Sequence, residues 1–74
     1  MYIVLEIQTN VDGTIGALIT QHSSLNDAES KYHEVLRYAA ISTLPVHAAV
    51  LLTNEGLLLK SERYTHKQEE SNEG

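Results

Sequence analysis

The sequence predicts an α+β domain of order ββαββ, a four-stranded antiparallel sheet with one helix packed on one face. Two observations carry this. Ala28, Tyr32, Val35, Leu36, Ala39 and Thr43 recur at the spacing that lines one side of an α-helix, within a stretch from Asn26 to Thr43. On either side of it lie two short apolar runs joined by turn residues, which is the pattern of a hairpin.

The first strand is expected over Tyr2 to Thr9, where Ile3, Leu5 and Ile7 alternate with Tyr2, Val4, Glu6 and Gln8. Asn10-Val11-Asp12-Gly13 follows, and Asp12-Gly13 tolerates the positive φ of a tight reversal. Thr14 to His22 resumes the alternation, with Ile15, Ala17 and Ile19 on one face and Gly16, Leu18, Thr20 and His22 on the other. Asn26 with Glu29 fits a capping box that starts the helix, and Ser24 with Asp27 offers an alternative start. The helix should end near Thr43, because Pro45 disfavours helical geometry at Leu44. Val46 to Thr53 reads as the third strand, Asn54-Glu55-Gly56 as a turn and Leu57 to Tyr64 as the fourth strand. Residues 1–66 thus form one domain, and 67–74, without an apolar residue, read as a disordered acidic tail. The first strand can pair centrally with either the third or the fourth.

A 74-residue chain without cysteine has neither disulfides nor thiolate-bound zinc to support a core that removes only about 60% of the unfolded surface from water. Val4, Leu18, Val50, Leu52 and Leu58 fall opposite the strongest apolar stripes, so one helix cannot cover every apolar strand residue. Self-association into a homodimer or larger assembly, by sheet stacking or edge pairing, is the expected remedy.

Net charge is −5. Setting aside Lys67, Glu69, Glu70 and Glu73 leaves seven acids against Lys31, Arg37, Lys60 and Arg63, a net of −3 without a basic stripe, so direct nucleic-acid binding is not expected. The apolar stretch from Val46 to Leu52 is far shorter than the roughly 20 residues that cross a bilayer, and the start of the chain lacks the basic region of a signal peptide. A cytoplasmic protein without membrane contact is expected.

No cofactor or metal is expected either. His22, His33, His47 and His66 lack the spacing of a metal motif. His22 beside Ser23 and Ser24 is adjacency without an orienting partner or oxyanion site. Glu6, Glu29, Glu34 and Glu62 could do acid–base work only if two met in a dry cleft. The helix face away from the apolar stripe is a better candidate. Lys31, Glu34, Arg37, Tyr38 and Ile41 combine charge, an aromatic ring and an aliphatic anchor, with Glu34 and Arg37 spaced for an ion pair. Tyr2 and Tyr64 add rings if the first and last strands are neighbours. The cations and rings also suit a small nucleotide-like ligand.

Three stretches carry a resemblance: Glu6-Ile7-Gln8-Thr9-Asn10 leading to Asp12-Gly13-Thr14, Ala28-Glu29-Ser30-Lys31-Tyr32-His33 running to Ala39-Ala40-Ile41-Ser42, and Leu44-Pro45-Val46-His47-Ala48-Ala49-Val50-Leu51. Residues 1–66 resemble a set of small uncharacterised proteins encoded in bacterial prophages and mobile elements. The resemblance implies a setting of phage and host, and with no assigned activity in that set it implies no functional residues. The expected function is a non-enzymatic oligomeric binding protein of phage type, engaging a host protein or sequestering a small ligand, with an anti-defence role as one outcome. The alternative is a structural or accessory phage protein acting only by self-association and docking. An enzyme using His33 or His47 with a glutamate across a subunit interface ranks third.

Overall fold

The computed structural model describes residues 1–67. The disordered tail expected over 67–74 lies, beyond Lys67, outside the described residues. The elements run β1 (Tyr2–Thr9), β2 (Ile15–His22), α1 (Leu25–Ile41), β3 (Val46–Thr53) and β4 (Leu58–Thr65). The strands form one antiparallel sheet of order β2-β1-β3-β4. This is the expected ββαββ fold, and β3 takes the place beside β1.

Each hairpin turn is held by side chains the sequence supplies for it. Asp12 accepts hydrogen bonds from the Thr14 amide (3.0 Å) and the Thr14 hydroxyl (2.7 Å), while Gly13 adopts φ 92°. Those two bonds favour the ionised carboxylate and hold Asp12 below its ordinary pKa. In the second turn Thr53 Oγ1 accepts from the amides of Glu55 (3.3 Å) and Leu57 (3.1 Å), and Gly56 takes φ 89°. Both glycines occupy the left-handed region that side chains disfavour.

Ser24, rather than Asn26, caps the helix: its hydroxyl accepts from the Asp27 amide at 3.1 Å. The helix therefore starts at Leu25, two residues ahead of the start that a capping box at Asn26 and Glu29 implies. Ser24 wins because its extended backbone (φ −123°, ψ 151°) aims the hydroxyl at the third amide of the helix. The helix stops at Ile41, where Ser42 leaves helical geometry, returns its amide to Ala39 O at 3.3 Å and accepts from the Leu44 amide at 3.0 Å. Thr43 is consequently outside the helix.

Directly paired residues of antiparallel strands share a face, so the register separates the two sides of the sheet. Tyr2, Val4, Glu6 and Gln8 of β1 stand with Thr53, Leu51, Ala49 and His47 of β3 on the side that α1 covers. There Val4, Ala49 and Leu51 pack with Ala28, Tyr32 and Val35 into the core, each no more than 3% exposed, and Tyr2 and Leu36 flank it. Ala28 and Ala39, both fully buried, keep the helix face small enough for close approach. Lys60 reaches from β4 to Glu29 on the helix at 3.2 Å.

This corrects the expectation about Val4. The residue lies beneath the helix, and its partner across the ladder is Leu51, not Val50 or Leu52. The strongest apolar stripe, Ile3, Leu5 and Ile7, faces away from α1 together with Leu52, Val50 and Ala48 of β3 and Gln21, Ile19 and Ala17 of β2. Val50, Leu52 and Leu58 are on this uncovered side as expected, whereas Leu18 is on the helix side but beyond the helix's reach at the β2 edge, 62% exposed. No helix among the described residues is long and apolar enough to cross a membrane.

Candidate interaction surface

Three regions hold chemistry or unspent apolar area: a polar cluster under the helix, the outer face of the helix, and the uncovered face of the sheet. The cluster follows from the β1–β3 register. Glu6 stands opposite Ala49, whose methyl group leaves room for the carboxylate to reach diagonally to the next helix-side position, His47. His47 Nε2 lies 2.7 Å from Glu6 Oε2, and Gln8 Nε2 donates to the same oxygen at 3.1 Å. A carboxylate can only accept, so Nε2 carries the ring proton. His47 is 4% exposed, and its Nδ1 is buried without a hydrogen-bond partner among the described residues.

Glu6 also borders a cleft between α1 and β2, lined by Val4, Leu18, Ile19, Thr20, Lys31 and Val35 and holding about 150 Å³. Organic ligand sites run from about 300 Å³ upward. The cleft falls below that size, and a nucleotide does not fit in it. The remaining histidines are dispersed. His22 Nε2 is 2.9 Å from the Thr20 hydroxyl, His66 Nε2 is 2.8 Å from Ala39 O, and His33 meets the Tyr32 ring edge-on at 5.5 Å. No three His, Cys, Asp or Glu side chains converge among the described residues.

On the outer helix face, Lys31, Glu34, Tyr38 and Ile41 fall on successive turns as the spacing requires. Glu34 pairs with Lys31 at 3.6 Å rather than with Arg37. Arg37 instead lies over the Tyr38 ring, 5.8 Å from its centre. Tyr38 is 50% and Ile41 76% exposed. Tyr2 and Tyr64 do not join this patch. β3 separates their strands; Tyr2 pairs across the ladder with Thr53 and Tyr64 with His47, at opposite ends of β3, and Tyr64 stacks on His66 at 6.4 Å.

The uncovered sheet face differs from both. Its only charged side chain among the paired positions is Arg63, on edge strand β4; Thr9, Gln21, Ser61 and Thr65 are polar, and the rest are Ile, Leu, Val and Ala. Ile15 and Ile19 at the β2 edge are 68% and 64% exposed, and Leu58 is 55% exposed.

No family model, curated protein or solved structure matches this chain. Its surfaces therefore carry the functional reading by themselves.

Sequence reasoning named Glu6 and His47 separately and did not join them. Their common signal is alternation: both lie in the stripe that contains Val4 and Leu51, and a charged residue in a helix-covered stripe calls for a partner beside it.

Proposed function

We propose that this chain is a non-enzymatic, homo-oligomeric binding protein of phage type that acts in the host cytoplasm and engages a host protein through the outer face of α1. The observation that carries the reading is the Arg37–Tyr38–Ile41 patch. A half-exposed ring held beneath a guanidinium, next to an aliphatic side chain 76% exposed, is the composition of a protein-binding hot spot. The opposite side of the same helix is anchored through Tyr32, Val35 and Ala39, so the patch is presented on a rigid element with little ordering cost.

The arrangement favours a protein over a small anionic ligand. Lys31 is paired with Glu34, and Arg37 lies on Tyr38, so neither cation is aimed at a common phosphate position. The alternative, a structural or accessory phage protein, uses the same surfaces for self-association and docking to other phage proteins.

A photo-crosslinking amino acid at position 38, with the protein expressed in bacterial cells, separates these readings. Cross-linking to one host protein, abolished by Ile41→Asp, is the expected result. Cross-links confined to the chain itself or to phage proteins would overturn the host-binding reading in favour of the alternative.

A further inference from the structure

We infer that a second copy of this chain covers the open face of the sheet, so that two sheets pack face to face and the two helices lie outermost. This rests on the oligomeric reading above and names the contact that produces it.

Charge segregation is the first argument. The helix-covered side of the sheet carries Glu6, His47, Lys60 and Glu62, whereas the open side carries Arg63 alone, at an edge. An antiparallel sheet with a wet face normally alternates apolar-in and polar-out. Here the side facing away from the helix is the more apolar one, which is the pattern of a sheet buried on both faces.

Area is the second. Four strands about 4.8 Å apart, each eight residues long at about 3.3 Å per residue, present a footprint of roughly 500 Å². With the sheets fully overlapped, two copies together remove about 1,000 Å² before side-chain relief is counted, which is the lower threshold for a specific interface.

The third is shape. Sheets of one sequence have the same twist and stack about 10 Å apart at roughly −30°. Along the β3–β4 seam, Ala48 and Ser61 are small beside Val50 and Arg63, leaving a shallow depression of about 320 Å³ that also touches Ala49 and Glu62. Aliphatic side chains of the second copy can settle into it. Arg63, on the edge strand, stays at the rim in solvent.

Other occupants fit less well. Residues 67–74 of this chain contain no apolar side chain. Edge pairing through β2, whose eight residues carry no carboxylate, lysine or arginine, extends the sheet yet leaves the apolar face uncovered.

The test is sedimentation equilibrium of the full chain, with Leu5→Glu at the centre of the open face and Val50→Thr as its mild counterpart. The wild type should have twice the chain mass. Leu5→Glu should be monomeric with unchanged far-UV circular dichroism, since Leu5 does not touch the helix-side core. Val50→Thr buries a hydroxyl in both copies and should raise the dimer Kd about tenfold or more.

If Leu5→Glu fails to fold, Val50→Thr decides, and an unchanged Kd overturns the inference. A wild-type monomer overturns it as well. So does a dimer that survives Leu5→Glu with slowed amide exchange along β2, which would assign the contact to the edge. A wild-type monomer removes the oligomeric part of the proposed function too, whereas a dimer that survives Leu5→Glu overturns this contact alone; neither result determines whether position 38 cross-links a host protein.

Discussion

Replacing Glu6 by leucine should destabilise the fold more than replacing His47, and replacing both should cost less than the Glu6 change alone. In Glu6→Leu the His47 ring, 4% exposed, keeps a buried Nδ1 without a partner and loses the 2.7 Å bond at Nε2 as well. Stranding a buried polar group costs about 1–3 kcal/mol, and the lost bond was to a charged acceptor, so about 2–3 kcal/mol is expected. In His47→Leu the remaining Glu6 side chain is 15% exposed and still accepts from Gln8 at 3.1 Å. The substitution also removes the unpartnered nitrogen, which brings its cost to about 1 kcal/mol. The double variant strands neither group. The coupling between the positions then exceeds the His47→Leu cost, about 1 kcal/mol or more, above the scatter expected of independent sites. Urea unfolding followed by far-UV circular dichroism measures all four proteins, at one fixed concentration because association adds to apparent stability. Additive costs, or a larger loss for His47→Leu than for Glu6→Leu, would refute the reasoning.

Leu51→Ala should cost about 2–5 kcal/mol by opening a cavity in a core where Leu51 is completely buried, read as a lower urea midpoint. Ser24→Ala should lower stability by about 1 kcal/mol through loss of the cap on the Asp27 amide, whereas Asn26→Ala should change it little; the same unfolding curves compare them. Tyr32 should ionise above the ordinary tyrosine range in an ultraviolet titration, because burial, and secondarily the Glu62 carboxylate, push its phenol up. With the folded-state pKa raised, the unfolded chain loses this proton first. Stability from Tyr32 is thus complete below about pH 10 and is lost as pH rises toward the folded-state value, and Tyr32→Phe should flatten that alkaline loss.

The element order was legible because both periodicities are strong: Ala28, Tyr32, Val35 and Ala39 line the buried side of α1 as their spacing requires. The cap was misassigned within its turn because Ser24-x-x-Asp27 and Asn26-x-x-Glu29 offer similar local chemistry, and backbone direction after β2 chooses between them. Pairing was open from sequence because alternation marks both β3 and β4 as strands without naming their neighbours; the register puts Leu51 opposite Val4 and leaves the more charged β4 at the edge. The face beneath the helix was misjudged for a more general reason. Hydrophobicity ranks Ile3, Leu5 and Ile7 above Tyr2, Val4, Glu6 and Gln8, yet the helix lies on the mixed stripe, where Glu6 and His47 satisfy each other. In the candidate surface, the positions of Tyr38 and Ile41 followed from helical spacing, while the Lys31–Glu34 pair depended on rotamers that spacing leaves open.

The strand order also bears on how the chain acquires its shape. Both hairpins are local, but the central seam joins Tyr2 to Thr53, so β1 cannot be completed until most of the described chain exists. Closing a loop of about 50 residues costs on the order of 3–4 kcal/mol in chain entropy. The β1–β3 ladder therefore sets the folding barrier, and on the ribosome the N-terminal hairpin must wait, one side of β1 unpaired, until β3 emerges. Changes in the β1–β3 seam should slow folding, whereas changes in the two turns should chiefly hasten unfolding.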